Sequence, residues 1–300
     1  MLEARAGEIA AVGTAILWTL TYVQFTAAVR RLGPSVLNRL RLLVALVFLV
    51  GAHLVVFRTP LPFGAEPVQW GWLVLSGIIG FAASDAFLFR AFFHIGAHRS
   101  SLLMSLVPLT SALLAWAVFG ERLTWVQVVA GLVTISGIAC VVSARRTENR
   151  VARDRRTLLG ILFALGAVVA QSSRYILSLQ GMRGGLPPLS ANLLQILAAT
   201  VTVWAISFVR GTAKSSFAPL RDPVCATTMT GGALTGPFLG VTLSMVALTR
   251  APVGVASTLM ALVPVFLLPI SRFVFKEAIT LRAVVGTLLA VAGVAVLFLT

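Results

Sequence analysis

The chain has 300 residues, of which 58% are hydrophobic and 11% are charged, and its formal net charge is +15. With a mean hydropathy of +0.98 it has too little polar surface to coat a soluble domain, so lipid is the expected solvent. Its basic residues stand at the ends of apolar runs, which argues against a nucleic-acid partner.

Ten apolar runs follow one another, each long enough to cross about 30 Å of hydrocarbon as an α-helix. In chain order their limits are 8–29, 34–57, 69–93, 98–119, 124–143, 157–179, 188–209, 225–248, 253–274 and 280–299. The sequence therefore predicts an all-α integral membrane protein with ten transmembrane helices.

The chain also contains a second copy of itself. Residues 80–142 align without a gap on residues 236–298 at a constant offset of 156, and the offset is 153 further upstream. We predict a first five-helix repeat at 1–147 and a second at 148–300. Because each copy crosses the membrane an odd number of times, the second copy should be inverted relative to the first. Inverted repeats are typical of secondary transporters, whose substrate site lies near mid-membrane between the copies.

Positive charge predicts the orientation of these helices. The loop between helices five and six is the richest in arginine, with Arg145, Arg146, Arg150, Arg153, Arg155 and Arg156. By the positive-inside rule this loop is cytoplasmic, which places both termini outside the cytoplasm.

The sequence resembles the drug/metabolite transporter superfamily, in particular its ten-helix EamA-type members. The residues that carry the resemblance are Trp18, Arg39, the proline helices at Pro108 and Pro264, the turn Phe119-Gly120-Glu121-Arg122-Leu123, and the glycines from Gly131 to Gly137. The resemblance covers essentially the whole chain. It implies a multi-pass protein of the bacterial inner membrane that moves small metabolites, often amino acids, and it makes Arg39 a candidate substrate-binding residue.

Asp85 lies well inside helix three, where a carboxylate costs roughly 2.5–3.5 kcal/mol on insertion scales and needs a partner or water. One hypothesis is that it binds a proton or a substrate ammonium group during transport. The alternative is a structural ion pair with Arg90 or Arg174. Arg174 is itself a candidate for binding a substrate carboxylate, because its planar guanidinium matches that group.

The other candidate substrate-binding residues are aromatic or amide side chains at corresponding depths of the two copies: Trp18, Tyr22, Asn38, Gln171, Tyr175, Asn192 and Gln195. Aromatic rings and amides of this kind orient a substrate in an otherwise apolar pocket, and ordinary packing is the alternative that we favour for any single ring. For Arg41, which follows Arg39 on helix two, we favour snorkelling of the guanidinium to the headgroups.

Four residues are candidate hinges. Pro108 and Pro264 are expected to kink helices four and nine and to free a carbonyl towards a central path, with a purely structural kink as the alternative. Gly236 and Pro237 interrupt helix eight, which we expect to move. Helices five and ten each carry small residues seven apart, Ala130 and Gly137 in one and Gly286 and Gly293 in the other, and should pack together as a scaffold.

The leading interpretation is a secondary transporter, without ATP, that moves a small polar metabolite by alternating access, as an exporter of an amino acid or related compound. The alternatives are an exporter of cationic drugs or nucleosides and an intramembrane enzyme acting on lipid-linked substrates. No catalytic, metal or cofactor motif is recognised, so we expect no enzyme, no metal and no cofactor. The expected partners are a small-molecule substrate and the lipid bilayer, with proton coupling as a further hypothesis and both monomer and homodimer open.

Overall fold

The structure is a computed structural model and describes residues 5–119, 125–143, 150–217, 222–251, 256, 259–274 and 281–299. The α-helices of these residues are α1 (Ala6–Leu32), α2 (Pro34–Phe57), α3 (Pro67–Gly77), α4 (Asp85–Met104), α5 (Val107–Phe119), α6 (Trp125–Ser143), α7 (Arg150–Gly181), α8 (Pro188–Val209), α9 (Pro223–Ala233), α10 (Val241–Arg250), α11 (Val263–Phe273) and α12 (Leu281–Leu299). Two π-helical segments join them, π1 (Ile78–Ser84) between α3 and α4 and π2 (Leu234–Gly240) between α9 and α10.

Within the described residues, six helical stretches are long and apolar enough to cross a membrane. They are Ala6–Leu32, Pro34–Phe57, Pro67–Met104, Arg155–Gly181, Pro188–Val209 and Pro223–Arg250. The predicted all-α class and the membrane-spanning character are therefore confirmed. Gly96, with φ 78° and ψ 172°, breaks the helical backbone inside α4, close to where the sequence predicts the boundary between its third and fourth spans.

The two halves of the chain interlock. In the first half, α1 packs against α9 and α10, and α2 packs against α8. The segment formed by α3, π1 and α4 packs against α7 from the second half. The buried core is consequently shared between the halves, with side chains such as Leu49 and Leu73 beside Leu194 and Met245 in one apolar cluster.

Both halves leave the α-helical pattern at equivalent residues. The π1 and π2 segments are separated by 156 residues, the same offset as the sequence repeat. In π2, Pro237 accounts for the change, because it has no N–H to donate to the preceding turn. In π1 the corresponding residue is Phe81, so the wider turn there has no proline to cause it.

The helices that carry Pro108 and Pro264 are interrupted rather than smoothly kinked. After α4 the chain makes a turn in which Leu106 N donates to Leu103 O at 3.0 Å, and the equivalent turn before α11 joins Leu262 N to Leu259 O at 3.3 Å. Both prolines then occupy the second position of a new helix, where no helical N–H is required. The expectation of two prolines in the middle of continuous helices is therefore wrong, because the preceding helix ends four residues before each proline, at Met104 and at Met260.

The helices α6 and α12 pack directly against each other, as the small-residue stripe predicts. A Cβ atom added to Gly137 would lie 2.6 Å from Gly286 O, and one added to Gly293 would lie 2.8 Å from Ala130 O. Backbones this close need glycine at the contact. This seam between α6 and α12 thus holds the end of the first half to the end of the second.

Candidate functional site

A central cavity of about 790 Å³ lies between the two halves. The sequence-predicted residues that line it are Trp18, Tyr22, Asp85, Pro108, Gln171, Arg174, Tyr175, Gly236, Pro237 and Pro264. Its other lining side chains are largely apolar or aromatic, among them Phe25, Phe81, Phe89 and Phe92. None of the described residues of α6 or α12 lines it. The cavity therefore has the size and the lining of a small-molecule site.

Asp85 is paired with Arg41 at the wall of this cavity. Arg41 Nη2 donates to the Asp85 carboxylate and also, at 2.9 Å, to Asn38 Oδ1, while Arg41 Nε donates to the same amide oxygen at 3.1 Å. The Arg41 guanidinium lies 4.9 Å from the centre of the Phe89 ring. Arg41 is buried, with 3% of its surface exposed, so the two charges compensate each other away from water.

This arrangement corrects two expectations. The partner of Asp85 is neither Arg90 nor Arg174, because Arg90 stacks on Phe163 and Arg174 forms no ion pair with a described residue. Arg41 does not snorkel to the headgroups. Its guanidinium stays inside the protein because it pairs with the Asp85 carboxylate at the start of α4.

Arg174 is the second buried guanidinium of the cavity, with 1% of its surface exposed. Its Nε donates to Gln171 Oε1 and its Nη1 to Gln195 Oε1, both at 3.2 Å. The guanidinium lies 4.8 Å from the ring centres of both Phe81 and Tyr175. Its Nη2 has no hydrogen-bond partner. A buried donor without an acceptor is costly, so this nitrogen is the natural anchor for an anionic ligand group.

The backbone of π1 makes room for Arg174. A Cβ atom at Gly80 would lie 1.8 Å from Arg174 Cδ, so only glycine leaves space for the arginine stem. At the equivalent place in the second half, a Cβ atom at Gly236 would lie 2.6 Å from Thr21 Cγ2. The two contacts are related by the sequence offsets, so Thr21 of the first half is the counterpart of the charged Arg174 of the second half.

Asn38 and Asn192 lie behind the cavity wall and brace the π segments. Asn38 Nδ2 donates to Ala82 O at 3.3 Å, and Asn192 Nδ2 donates to Pro237 O at 2.8 Å with Phe238 O at 3.4 Å. These bonds satisfy carbonyl groups that the wide π turn leaves with poor partners. Neither asparagine lines the cavity, so their placement supports a structural contribution to the site.

Gln195 and Arg39 also lie outside the cavity. Gln195 Oε1 accepts from Arg174, while Gln195 Nε2 donates to Ser178 Oγ at 3.0 Å. Arg39 donates from Nη1 to Ser207 Oγ at 2.6 Å and to Thr212 Oγ1 at 2.7 Å, at the end of α8. The structure thus places Arg41, rather than Arg39, at the cavity.

A sequence model of the EamA-like transporter family matches this chain twice, over residues 5–143 and over residues 158–299. The chain belongs to this family. The two matched segments correspond to the two copies found from the sequence offset, so each copy carries one family unit.

Two known proteins are similar to this EamA-like transporter. A protein of Streptantibioticus cattleyicolor named "Probable terminal-alkyne amino-acid exporter" is 30% identical over 132 residues, which is 44% of this chain and 43% of that protein. The match therefore spans less than half the length of this relative. A solved crystal structure covers 98% of this chain and 97% of its own chain, with a TM-score of 0.63 and 19% identity, and that likeness shows the fold alone.

Arg41 is the cavity residue of this EamA-like transporter that sequence reasoning misplaced. The spacing between equivalent residues of the two copies points to Arg41 instead of Arg39. Asn38 and Asn192 are 154 residues apart and make equivalent bonds, and the same spacing joins Arg41 to Gln195. Arg39 corresponds at this spacing to Leu193, which is buried in the apolar core.

No group of three or more histidine, cysteine or acidic side chains that could hold a metal ion occurs among the residues that the structure describes. Three guanidinium groups, two of them buried, one carboxylate and several aromatic rings can bind and orient a small ligand with a carboxylate group.

Proposed function

We propose that this EamA-like transporter is a secondary carrier that exports an amino acid or a related carboxylate by alternating access. The observation that carries the proposal is Arg174, a buried guanidinium at the cavity with one nitrogen left without an acceptor. A substrate carboxylate would complete its hydrogen bonds. The naming of the Streptantibioticus cattleyicolor relative as an amino-acid exporter supports the same substrate class.

The proposed architecture is ten transmembrane helices in two inverted repeats, 1–147 and 148–300. Supporting it are the π segments and the broken helices, which recur at an offset of 156 residues, and the double match to the family. In inverted repeats the two halves exchange conformations, so a cavity between them opens to one face and then to the other.

The proposed location is the bacterial inner membrane, with the loop between helices five and six in the cytoplasm and both termini outside it. The arginine-rich loop supports this orientation. The cavity reaches Arg183, beyond the C-terminal end of α7, which in this orientation is the extracytoplasmic face. The described cavity therefore has its mouth on the side to which an exporter releases its substrate.

Within the site, we assign the carboxylate to Arg174 and the apolar part of the substrate to the aromatic wall, which includes Trp18, Tyr22 and Tyr175. Asp85 is the acidic group available for proton coupling, through reversible pairing with Arg41. The hinge role proposed for Gly236 and Pro237 is supported by the π geometry, and that of Pro108 and Pro264 by the adjacent helix breaks.

The charge of the cavity argues against the cationic-drug alternative. Among its described lining residues are Arg41, Arg174 and Arg183 but a single acidic residue, Asp85. A cationic substrate would enter a site that is already positive, at a Coulomb cost that grows in a low-dielectric cavity.

Transport in proteoliposomes tests the proposal. The purified protein is reconstituted with a panel of labelled amino acids, with and without an imposed proton gradient. Arg174→Gln should abolish transport, whereas Arg210→Gln, at an exposed arginine beyond α8, should preserve it. If no amino acid or other carboxylate is transported or competes, the proposed function is wrong.

The same vesicles test the coupling role of Asp85. If Asp85 binds the coupled proton, Asp85→Asn should remove the response of transport to the proton gradient. A variant that transports at the wild-type rate with an unchanged pH dependence would eliminate this role.

A further inference from the structure

The net charge of the site follows from the pairing of its side chains. Arg41 and Asp85 neutralise each other, and Arg174 is left as the buried charge without an ionic partner among the described residues. Arg183 adds a further positive charge at the exposed mouth of the cavity. The inner site therefore holds an excess of one positive charge over the part of the chain that the structure describes.

The acidic group of the site is already engaged. Asp85 Oδ2 accepts from Arg41, whose guanidinium is fixed on the other side by Asn38 Oδ1 and by Phe81 O. An ammonium group at Asp85 Oδ2 would have to compete with the Arg41 guanidinium, which Asn38 and Phe81 hold in place. Leaving a buried charge without its partner is strongly unfavourable.

The amide oxygens nearest to Arg174 are engaged as well. Gln171 Oε1 accepts from Arg174 Nε, and Gln195 Oε1 accepts from Arg174 Nη1. Both oxygens therefore point towards the cation that binds the carboxylate. An ammonium group placed against either oxygen would lie beside a like charge, which raises its energy further.

From this arrangement we propose that the substrate carboxylate is the required recognition group of this carrier and that an α-ammonium group is not required. The substrate class is a monoanionic carboxylate with an apolar or aromatic body, in which free amino acids are accepted without being preferred. This inference rests on the proposed function, because it concerns the same cavity and the same arginine.

Charge neutrality is the physical reason. A monoanion brings the excess charge of the inner site to zero. A zwitterion supplies a carboxylate to Arg174 but brings its own positive charge into a site whose described carboxylate is already paired with Arg41, so one positive charge remains uncompensated. In an apolar wall of phenylalanine and tyrosine rings this charge is poorly solvated. The rings can stabilise it only in part.

The test compares molecules that share one apolar body. Leucine carries both charges, 4-methylpentanoate lacks the amine, and 3-methylbutylamine lacks the carboxylate; phenylalanine, 3-phenylpropanoate and 2-phenylethylamine form a second series. Binding to the purified full chain in lipid nanodiscs is measured by the ligand-induced rise in unfolding temperature and by titration of the dissociation constant.

We expect each des-amino acid to bind with a dissociation constant equal to or lower than that of its amino acid. Each amine should bind at least about tenfold more weakly, the loss expected for one hydrogen bond to a charged group. Arg174→Gln should weaken the amino acids and the des-amino acids alike, while Arg210→Gln should leave both unchanged.

The outcomes separate this inference from the proposed function. If amino acids bind and the des-amino acids bind more than tenfold more weakly, the ammonium is required and the inference is overturned, while the amino-acid carrier stands. Binding of the amines as tightly as the amino acids overturns it too. If no carboxylate of either series binds, both the inference and the carboxylate assignment of the proposed function fail.

Discussion

Replacement of Asp85 by asparagine removes one charge of a buried ion pair and keeps its shape. Arg41 would retain its bonds to Asn38 Oδ1 and Phe81 O, and the introduced carboxamide oxygen can still accept from it. The loss is therefore the ionic part of the interaction, and we place it at the lower end of the range for breaking a buried pair, about 3 kcal/mol. At roughly 2–4 °C for each kcal/mol, the unfolding temperature should fall by roughly 6–12 °C.

The assay is thermal unfolding of the purified protein in detergent, followed by tryptophan fluorescence. The double variant Arg41→Met/Asp85→Leu should recover most of the lost stability, because replacing both charges with apolar side chains leaves no buried charge uncompensated. Asp222→Asn provides a matched control at an exposed carboxylate, where solvent screening makes the effect small. If Asp85→Asn unfolds at the wild-type temperature, or if the double variant is less stable than the single one, the pair does not have the energetic role assigned to it.

Three further predictions concern the rest of the fold. Gly137→Leu should destabilise the protein by about 1–3 kcal/mol or more through overpacking at the seam. Gly51→Ala should not destabilise it, because a Cβ atom at this position has no neighbouring atom within 4 Å. Thermal unfolding compares the two variants. Asn192→Ala leaves carbonyls of π2 without their donor and should cost about 1–3 kcal/mol in the same assay. The Arg31 guanidinium lowers the pKa of the exposed Asp222 carboxyl. The stability that this carboxylate contributes is thus fully present above the pKa that Asp222 has in the unfolded chain. It is lost as pH falls through the lower pKa of Asp222 in the folded protein. Arg31→Gln should therefore move this loss of stability to higher pH in unfolding curves recorded across the acidic range.

The helical class and the repeat could be predicted from the sequence because both depend on local composition. An apolar run of sufficient length has few alternatives to a membrane helix, and an offset of 156 residues is visible without any structure. The π1 segment could not be predicted in this way. It contains no proline, and its geometry depends on the Asn38 amide from another helix and on the stem of Arg174 lying over Gly80.

The candidate site could be predicted in part for a similar reason. Arg174 and Asp85 are expensive to bury, so the sequence singles them out at once. Which arginine pairs with Asp85 is a matter of helix rotation, since Arg39 and Arg41 are two residues apart and point to different faces of α2. The rotation of α2 about its own axis is fixed by packing against helices that are distant in the sequence, so it cannot be predicted from the local sequence.

The seam between α6 and α12 has a consequence for how the molecule can change. Its glycines hold two backbones in contact, yet none of its described residues reaches the cavity. Among the described residues, those that line the cavity and those that join the two helices therefore occupy separate parts of the chain. New cargo can be acquired by exchanging side chains around Arg174, without loosening the joint that keeps the two copies together.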